Sequence, residues 1–273
     1  MDASRPLDWS HALLSKLLSR HANYPARAET HIRLENRQSS GNQSTNSAST
    51  SCSPMMKETN TVSCLLCDAS TAALFKQIGE QTYHRCDSCL LTFLNPDQMP
   101  SLEVERATYD MHENDPEDIH YRAFLRRATD PLIEKLKSGS YGLDYGCGPG
   151  PALAAMMSER GFAMEVYDPI YANDEDVLEE SYDFITCTEV AEHFHSPKKE
   201  LAQLDRMLAP GGWLAIMTSW LHDDIDFSTW HYRRDPTHVC FYQPKTFEYW
   251  ARNAGWSALF PANNIVLLQK PFD

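Results

Sequence analysis

Long apolar segments are missing from this 273-residue chain. No run of about 18 apolar residues occurs, which excludes an ordinary membrane-spanning helix. A secretory signal is not expected either, because Lys16 divides the short apolar stretch ALLSKLL near the N-terminus. We therefore expect a cytoplasmic protein with no membrane partner.

Basic residues are also scarce: 24 Lys and Arg stand against 38 Asp and Glu, which gives a net charge of −14. The acidic excess lies after residue 54, since residues 1–54 are slightly basic. An acidic body repels a phosphate backbone, so we do not expect nucleic acid as a partner. The apolar content of 42% is that of an ordinary globular protein with a buried core.

The first segment, residues 1–57, has little capacity to bury apolar area. Ser and Thr dominate residues 39–53, which predicts a disordered extension. Met55 and Met56 stand just before the first ordered-looking segment, so one interpretation places the true translation start there. A natural flexible or targeting extension is the alternative.

Four of the eight cysteines form two close pairs, CLLC and CDSC, separated by eighteen residues. Two such knuckles can bring four thiolates to one tetrahedral Zn²⁺, whereas a redox site would need one motif opening a helix. The spacing therefore predicts a zinc ribbon over residues 58–97. Because four protein ligands close the coordination sphere, the zinc is expected to be structural. The predicted ligands are Cys64, Cys67, Cys86 and Cys89.

Strand and helix patterns alternate along residues 119–273, which predicts a largely parallel sheet covered by helices on both faces. The segment 98–118, between the ribbon and this domain, is predicted to be a linker or lid. At LDYGCGPG, residues 143–150, a strand ends and a glycine-rich turn follows. A dinucleotide fingerprint requires Gly or Ala three residues after its second glycine, and Pro151 occupies that position.

The G-C-G-P-G form instead resembles motif I of class I S-adenosylmethionine-dependent methyltransferases. EVYDP, YDFITCTEVAEHF and LAPGGWLAIMT are similar to further motifs of that family and occur in its order, so the resemblance covers about residues 119–273. It implies that the turn approaches the methionine moiety, that Asp168 binds the ribose hydroxyls, and that the end of the TEV strand lies near the methyl group. The cofactor residues implied are Asp144, Gly146, Cys147, Gly148, Gly150, Asp168, Pro169, Thr188 and Glu189.

The resemblance also implies a Rossmann-like α/β fold with a seven-strand type of sheet. Only fourteen residues separate Asp168 from Asp183, where many relatives fit a helix and another strand. We therefore expect one edge of the sheet to be shortened.

Candidate acceptor-side residues lie mainly in the long connection 219–242, since such inserts above strand ends build pockets. His231 or His238 could remove a proton from the acceptor, as could His193 after the TEV strand, although a structural role is open for each histidine. Arg233 or Arg234 could hold an anionic group. Trp230, together with Tyr109 and His112 of the predicted lid, completes the candidate substrate set.

The function implied is methyl transfer from S-adenosylmethionine to an O, N or C nucleophile of a small molecule. The chain resembles the ubiquinone-biosynthesis and sugar methyltransferase branches, some of which carry a zinc-binding N-terminal segment. Asn-Pro-Pro-Tyr is absent, and no proline precedes Cys187, so adenine, glutamine and cysteine-dependent base methylation are disfavoured. Two alternatives stay open: an RNA or protein methyltransferase that uses the ribbon for recognition, and a non-catalytic zinc-stabilised scaffold.

Overall fold

A computed structural model describes residues 62–272, apart from residues 68, 70, 71, 112 and 113. The predicted extension 1–57 and the candidate residue His112 lie outside the described residues. Thr59–Asp273 forms one compact unit. Within the described part of the chain, every helix is too short or too polar to cross a bilayer.

Two sheets organise this unit. Its strands are β1 (Ala72–Ile78), β2 (Gln81–Cys86), β3 (Thr92–Leu94), β4 (Tyr141–Tyr145), β5 (Ala163–Tyr167), β6 (Tyr182–Thr188), β7 (Leu208–Met217), β8 (Cys240–Phe241), β9 (Ser257–Ala262) and β10 (Ile265–Gln269). Its helices are α1 (Leu102–Tyr109), α2 (Ile119–Ile133), α3 (Ala152–Glu159), α4 (Pro197–Met207) and α5 (Pro244–Ala254).

The larger sheet has the strand order β5-β4-β6-β7-β10-β9. Strands β5, β4, β6 and β7 are parallel, and β10 is antiparallel to both of its neighbours. A short 3₁₀ turn, Glu175–Leu178, occupies the connection between β5 and β6, so β5 is the edge strand. The predicted Rossmann-like α/β fold with one shortened edge is confirmed.

The carboxyl ends of β4, β5 and β6 lie side by side because these strands are parallel neighbours. From β4 the chain continues to β5 on one side, whereas from β6 it continues to β7 on the other side. The two connections therefore diverge between β4 and β6. In open α/β sheets such a point forms the ligand crevice. The glycine turn, Asp168 and Glu189 all follow directly from these three strand ends.

The cysteine segment shares its core with this domain. In the smaller sheet, β1, β2 and β3 form an antiparallel meander, and β3 pairs with β8 from the far end of the chain. One buried apolar cluster contains Cys86 and Phe93 together with Leu214 of the large sheet. The division into 58–97, 98–118 and 119–273 stays a prediction. Buried residues of the predicted ribbon and of the catalytic domain belong to the same apolar cluster, so their cores are continuous.

Helix α1 lies inside the segment that was expected to be a linker or lid. Ser101 caps it, since its side chain accepts from the amide of Val104. Leu102 and Val104 are exposed by 64% and 45%, and the helix has only eight residues. A segment this short contains too few turns for apolar periodicity to predict it.

Candidate active site

The glycine turn after β4 is held against the end of β5. Gly146 and Gly148 have φ angles of +79° and +65°, which side chains other than glycine rarely adopt. The amides of Gly146 and Cys147 both donate to the carbonyl of Tyr167, at 2.7 and 3.1 Å. These two bonds fix the turn between the ends of β4 and β5.

Asp168, the first residue after β5, organises the neighbouring loop. Its carboxylate accepts from three backbone amides: Gly148 at 3.0 Å, Ile170 at 2.9 Å and Tyr171 at 3.1 Å. A carboxylate offers about four acceptor positions, so one remains for another donor. Asp168 is 9% exposed, whereas the adjacent Pro169 is exposed.

The segment that follows α1 lies over the glycine turn. A methyl group built on Gly150 would stand 1.9 Å from the carbonyl oxygen of Asn114, which shows how closely the two backbones approach. On the same segment, Asp110 accepts a 2.6 Å hydrogen bond from the Tyr171 hydroxyl. The turn and the loop after β5 are thus both covered by residues between α1 and α2.

Two candidate cofactor residues, one in β4 and one on the turn, are buried. Asp144 is 3% exposed, its Oδ1 accepts from Thr186 Oγ1 at 2.9 Å, and burial raises its pKa to about 6. Cys147 donates weakly to the carbonyl of Gly148, and burial raises the pKa of its thiol to about 12. Cys147 is therefore a neutral thiol near pH 7.

Glu189, just past β6, has an unusual backbone. Its φ of +54° lies in the left-handed region, and its amide donates to the carbonyl of Met217 at 2.8 Å. Its Oε1 is buried without a hydrogen-bond partner. Burial first, and then the carboxylate of Glu192, raise its pKa well above the usual value, while Arg127 opposes that shift. Thr188, the preceding residue, ends β6 half-buried.

A histidine cluster stands beside Glu189, and the sequence had identified both of its histidines. His193 Nδ1 lies 3.0 Å from the carbonyl of Thr237, and His238 Nδ1 lies 2.6 Å from the carbonyl of Tyr232. The two rings are 4.7 Å apart at 72°. Burial lowers the pKa of His238 to about 4, so this imidazole is neutral at physiological pH.

Glu192 completes this cluster and was not among the candidate residues predicted from the sequence. Its side chain is fully buried, and neither carboxylate oxygen has a hydrogen-bond partner. Its position in TEVAEHF, directly before His193 and three residues after Glu189, is the sequence feature that could have identified it. Tyr109 of α1 covers the cluster, with its ring 5.1 Å from that of His193.

The remaining acceptor-side candidates are not gathered at this cluster. The guanidinium of Arg233 donates to Gln81 Oε1 at 3.1 Å and to the Tyr83 hydroxyl at 3.4 Å, so it ties the long connection to β2. Trp230 packs on Phe241 among the aromatic residues beside β8. Arg234 is exposed. The ring of His231 is 6.5 Å from that of Trp230.

The four paired cysteines meet at one point. Cys64 Sγ lies 3.5 Å from Cys89 Sγ, and Cys67 Sγ lies 3.5 Å from Cys86 Sγ. All four sulfurs are within 4.8 Å of one another. Tetrahedral zinc with Zn–S bonds of about 2.3 Å needs sulfurs about 3.8 Å apart, so this geometry is compatible with the metal.

A family model described as a methyltransferase domain matches residues 118–259, just over half of the chain. The chain belongs to this methyltransferase family. It is a class I S-adenosylmethionine-dependent methyltransferase, as its motifs had indicated. No curated protein sequence matches the chain.

Several solved structures resemble this methyltransferase weakly. One is 1,6-didemethyltoxoflavin-N1-methyltransferase from Burkholderia thailandensis, with a TM-score of 0.48, 14% identity, and coverage of 72% of this chain and 99% of that one. Another is a putative methyltransferase solved with the Haloferax volcanii Trm112 activator, with a TM-score of 0.43, 14% identity, and coverage of 62% and 98%. A third, from Archaeoglobus fulgidus, has a TM-score of 0.40, 18% identity, and coverage of 50% and 69%.

Proposed function

We propose that this methyltransferase acts on an oxygen, nitrogen or carbon of a small-molecule acceptor. The observation that carries the proposal is the cover over the site: α1 places Tyr109 on His193, and Asn114 lies against Gly150. A site enclosed in this way suits a small acceptor better than a macromolecule. The net charge of −14 also disfavours nucleic acid.

The residues of the crevice fit S-adenosylmethionine. The turn through Gly146, Cys147, Gly148 and Gly150 lets a ligand approach the backbone, with Asp144 beneath it. Asp168 has one acceptor position left for a ribose hydroxyl, with Pro169 beside it. Thr188 and Glu189, at the end of β6, would border the reacting methyl group. When bound, the cofactor supplies that methyl group on a positively charged sulfur.

Methyl transfer needs alignment of the acceptor atom more than strong acid–base chemistry. The Nδ1 atoms of His193 and His238 face backbone carbonyls, which can only accept, so in each neutral ring Nε2 carries the lone pair. These lone pairs can orient an acceptor hydroxyl or amine and take its proton. Tyr109 would exclude water from the same position.

Zinc in the four-cysteine cluster is the second part of the proposal. The cluster lies in the shared core, and the amide of Lys198 in α4 donates to the carbonyl of Leu65 in the first knuckle at 3.2 Å. A zinc ion there would hold the β1–β3 meander against the methyltransferase domain. This packing supports a structural metal rather than a freely presented recognition module.

Two measurements test the proposed function. Calorimetry should detect S-adenosylmethionine binding to zinc-loaded protein, and absence of binding would favour the scaffold alternative. A labelled methyl donor mixed with a metabolite extract should then yield labelled small molecules. Labelling confined to RNA or protein fractions would overturn the small-molecule acceptor.

A further inference from the structure

A fully buried carboxylate without a partner requires an explanation. Glu192 is 0% exposed, and both of its side-chain oxygens lack a hydrogen bond. The hydroxyl of Tyr232 lies near it, accepts from the amide of Ser219 and also pairs with Thr218 Oγ1; its single hydrogen can serve at most one of the two Glu192 oxygens. An ionised carboxylate buried in this way is unfavourable unless a proton or a cation compensates it.

The chemistry of the adjacent histidines favours a cation. Each Nδ1 is fixed as a donor by a backbone carbonyl, Thr237 for His193 and Tyr232 for His238, so each Nε2 carries the lone pair that a metal would use. At His238 this atom lies 3.9 Å from Asp235 Oδ2, too far for a hydrogen bond. Metal-ligating histidines usually have this arrangement, in which the second ring nitrogen donates to a carbonyl or carboxylate and orients the ring.

The three side chains also converge. Ligand atoms from Glu192, His193 and His238 all lie within 4.8 Å of one another. Backbone contacts keep them together, since the amide of Val239 donates to the carbonyl of Glu192 at 2.8 Å. Two imidazoles and one carboxylate are a donor set used for zinc and for other divalent first-row metals.

We propose that Glu192, His193 and His238 form a second metal site, distinct from the cysteine cluster, which binds a divalent first-row transition cation. Three protein ligands leave at least one coordination position open, unlike the closed four-cysteine cluster. Because Glu189 and Tyr109 border the site, that position would take an oxygen of the acceptor. The bound cation would then promote release of the acceptor's proton, in place of the Nε2 lone pairs that it occupies. This last role rests on the proposed function; the metal site itself does not.

Titration with Co²⁺ of protein that holds a single equivalent of zinc tests the site, because the four thiolates retain that one zinc ion and the histidine–carboxylate set is left to bind Co²⁺. We expect one equivalent to bind and to produce ligand-field absorption without thiolate charge-transfer bands. Glu192→Gln should weaken this binding at least about 100-fold, since even outer-shell changes cost 10–100-fold. His195→Gln is the matched control: that neighbouring histidine pairs with Glu105 at 2.8 Å and should leave Co²⁺ affinity unchanged.

Thermal unfolding provides a second readout. Co²⁺ should raise the melting temperature of the wild type but not of Glu192→Gln, because a ligand stabilises only a protein that binds it. If Glu192→Gln does not fold, His238→Gln replaces it. If the wild type binds no Co²⁺, or if the variant binds Co²⁺ with the same affinity as the wild type, the proposed metal site is wrong. Calorimetry with S-adenosylmethionine on the same samples distinguishes failure of the metal site from failure of the proposed function. Protein that binds Co²⁺ but not S-adenosylmethionine would contradict only the proposed function.

Discussion

At the scale of single residues, Asp168 has one observed role, in holding two loops together, and one proposed role, in binding the ribose. Three backbone amides donate to it, one from the glycine turn and two from the loop after β5. Its carboxylate therefore sets the shape of the crevice as well as offering an acceptor for the ribose. A substitution there should affect stability and cofactor affinity together.

We expect Asp168→Ala to lose at least about tenfold in S-adenosylmethionine affinity and about 1–3 kcal/mol of stability, since it leaves amides without acceptors. Calorimetry and denaturant unfolding measure the two effects. Asp183→Ala is a suitable control, because this exposed carboxylate, near the start of β6, also accepts from a backbone amide, that of Tyr141 at the start of β4. Wild-type affinity in Asp168→Ala would refute the ribose assignment.

Asp144 predicts a pH dependence of stability. Burial raises its pKa from 3.8 to about 6 in the folded protein, so the folded state binds the proton more tightly than the unfolded chain. Between about pH 4 and 6 the folded state therefore holds more protons, and its stability falls as the pH rises. Two pKa units correspond to at most about 3 kcal/mol.

Asp144→Asn has no such titration. The quantity to follow is the difference in the free energy of unfolding, wild type minus Asp144→Asn. We expect this difference to decrease between pH 4 and 6 and to be constant above about pH 7. Denaturant titrations at several pH values measure this difference, and effects common to both proteins, such as cysteine protonation, cancel. A difference that rises with pH would show that the carboxylate is stabilised in its charged form.

At the scale of elements, the segment between α1 and α2 is the most informative. The Tyr171 hydroxyl holds it to the loop after β5 through Asp110. Tyr171→Phe should weaken S-adenosylmethionine binding about two- to fivefold by loosening this cover, with little loss of stability because the contact is exposed. Calorimetry measures the affinity. Tyr141→Phe removes a similar hydroxyl–carboxylate bond to Glu165, which starts from the amino end of β4 and so lies away from the crevice, and should have no effect.

Sequence patterns predicted the elements of the catalytic domain because their apolar residues follow strand or helix periodicity. Helix α1 has only eight residues, too few for such periodicity to be recognised, and it was not predicted. The glycine turn and Asp168 were found from local motifs, since their roles depend on neighbours in the chain. The contacts of Arg233 with Gln81 and Tyr83 could not be predicted, because residues about 150 positions apart meet only through the β3–β8 pairing.

At the scale of the whole molecule, the cysteine cluster and the methyltransferase domain share one core, so they should unfold together. Cys86 is completely buried in that core. Cys86→Ser should lower the melting temperature of the whole unit by at least about 10 °C in one transition, and should reduce cofactor binding. Calorimetric scans measure this. Chelator-treated wild type should recover on addition of zinc, whereas Cys86→Ser should not. Two separate transitions would contradict a shared core.

The pairing of β3 with β8 has a consequence for biosynthesis. Thr92 and Phe93 leave the ribosome well before Cys240 and Phe241, the residues that complete their sheet. Until then the inner surface of the cysteine segment has no native partner, and contacts between distant parts of a chain form slowly. Nascent chains truncated before residue 240 would therefore depend on chaperones, and the cluster of Glu192, His193 and His238 would be assembled among the last events of maturation.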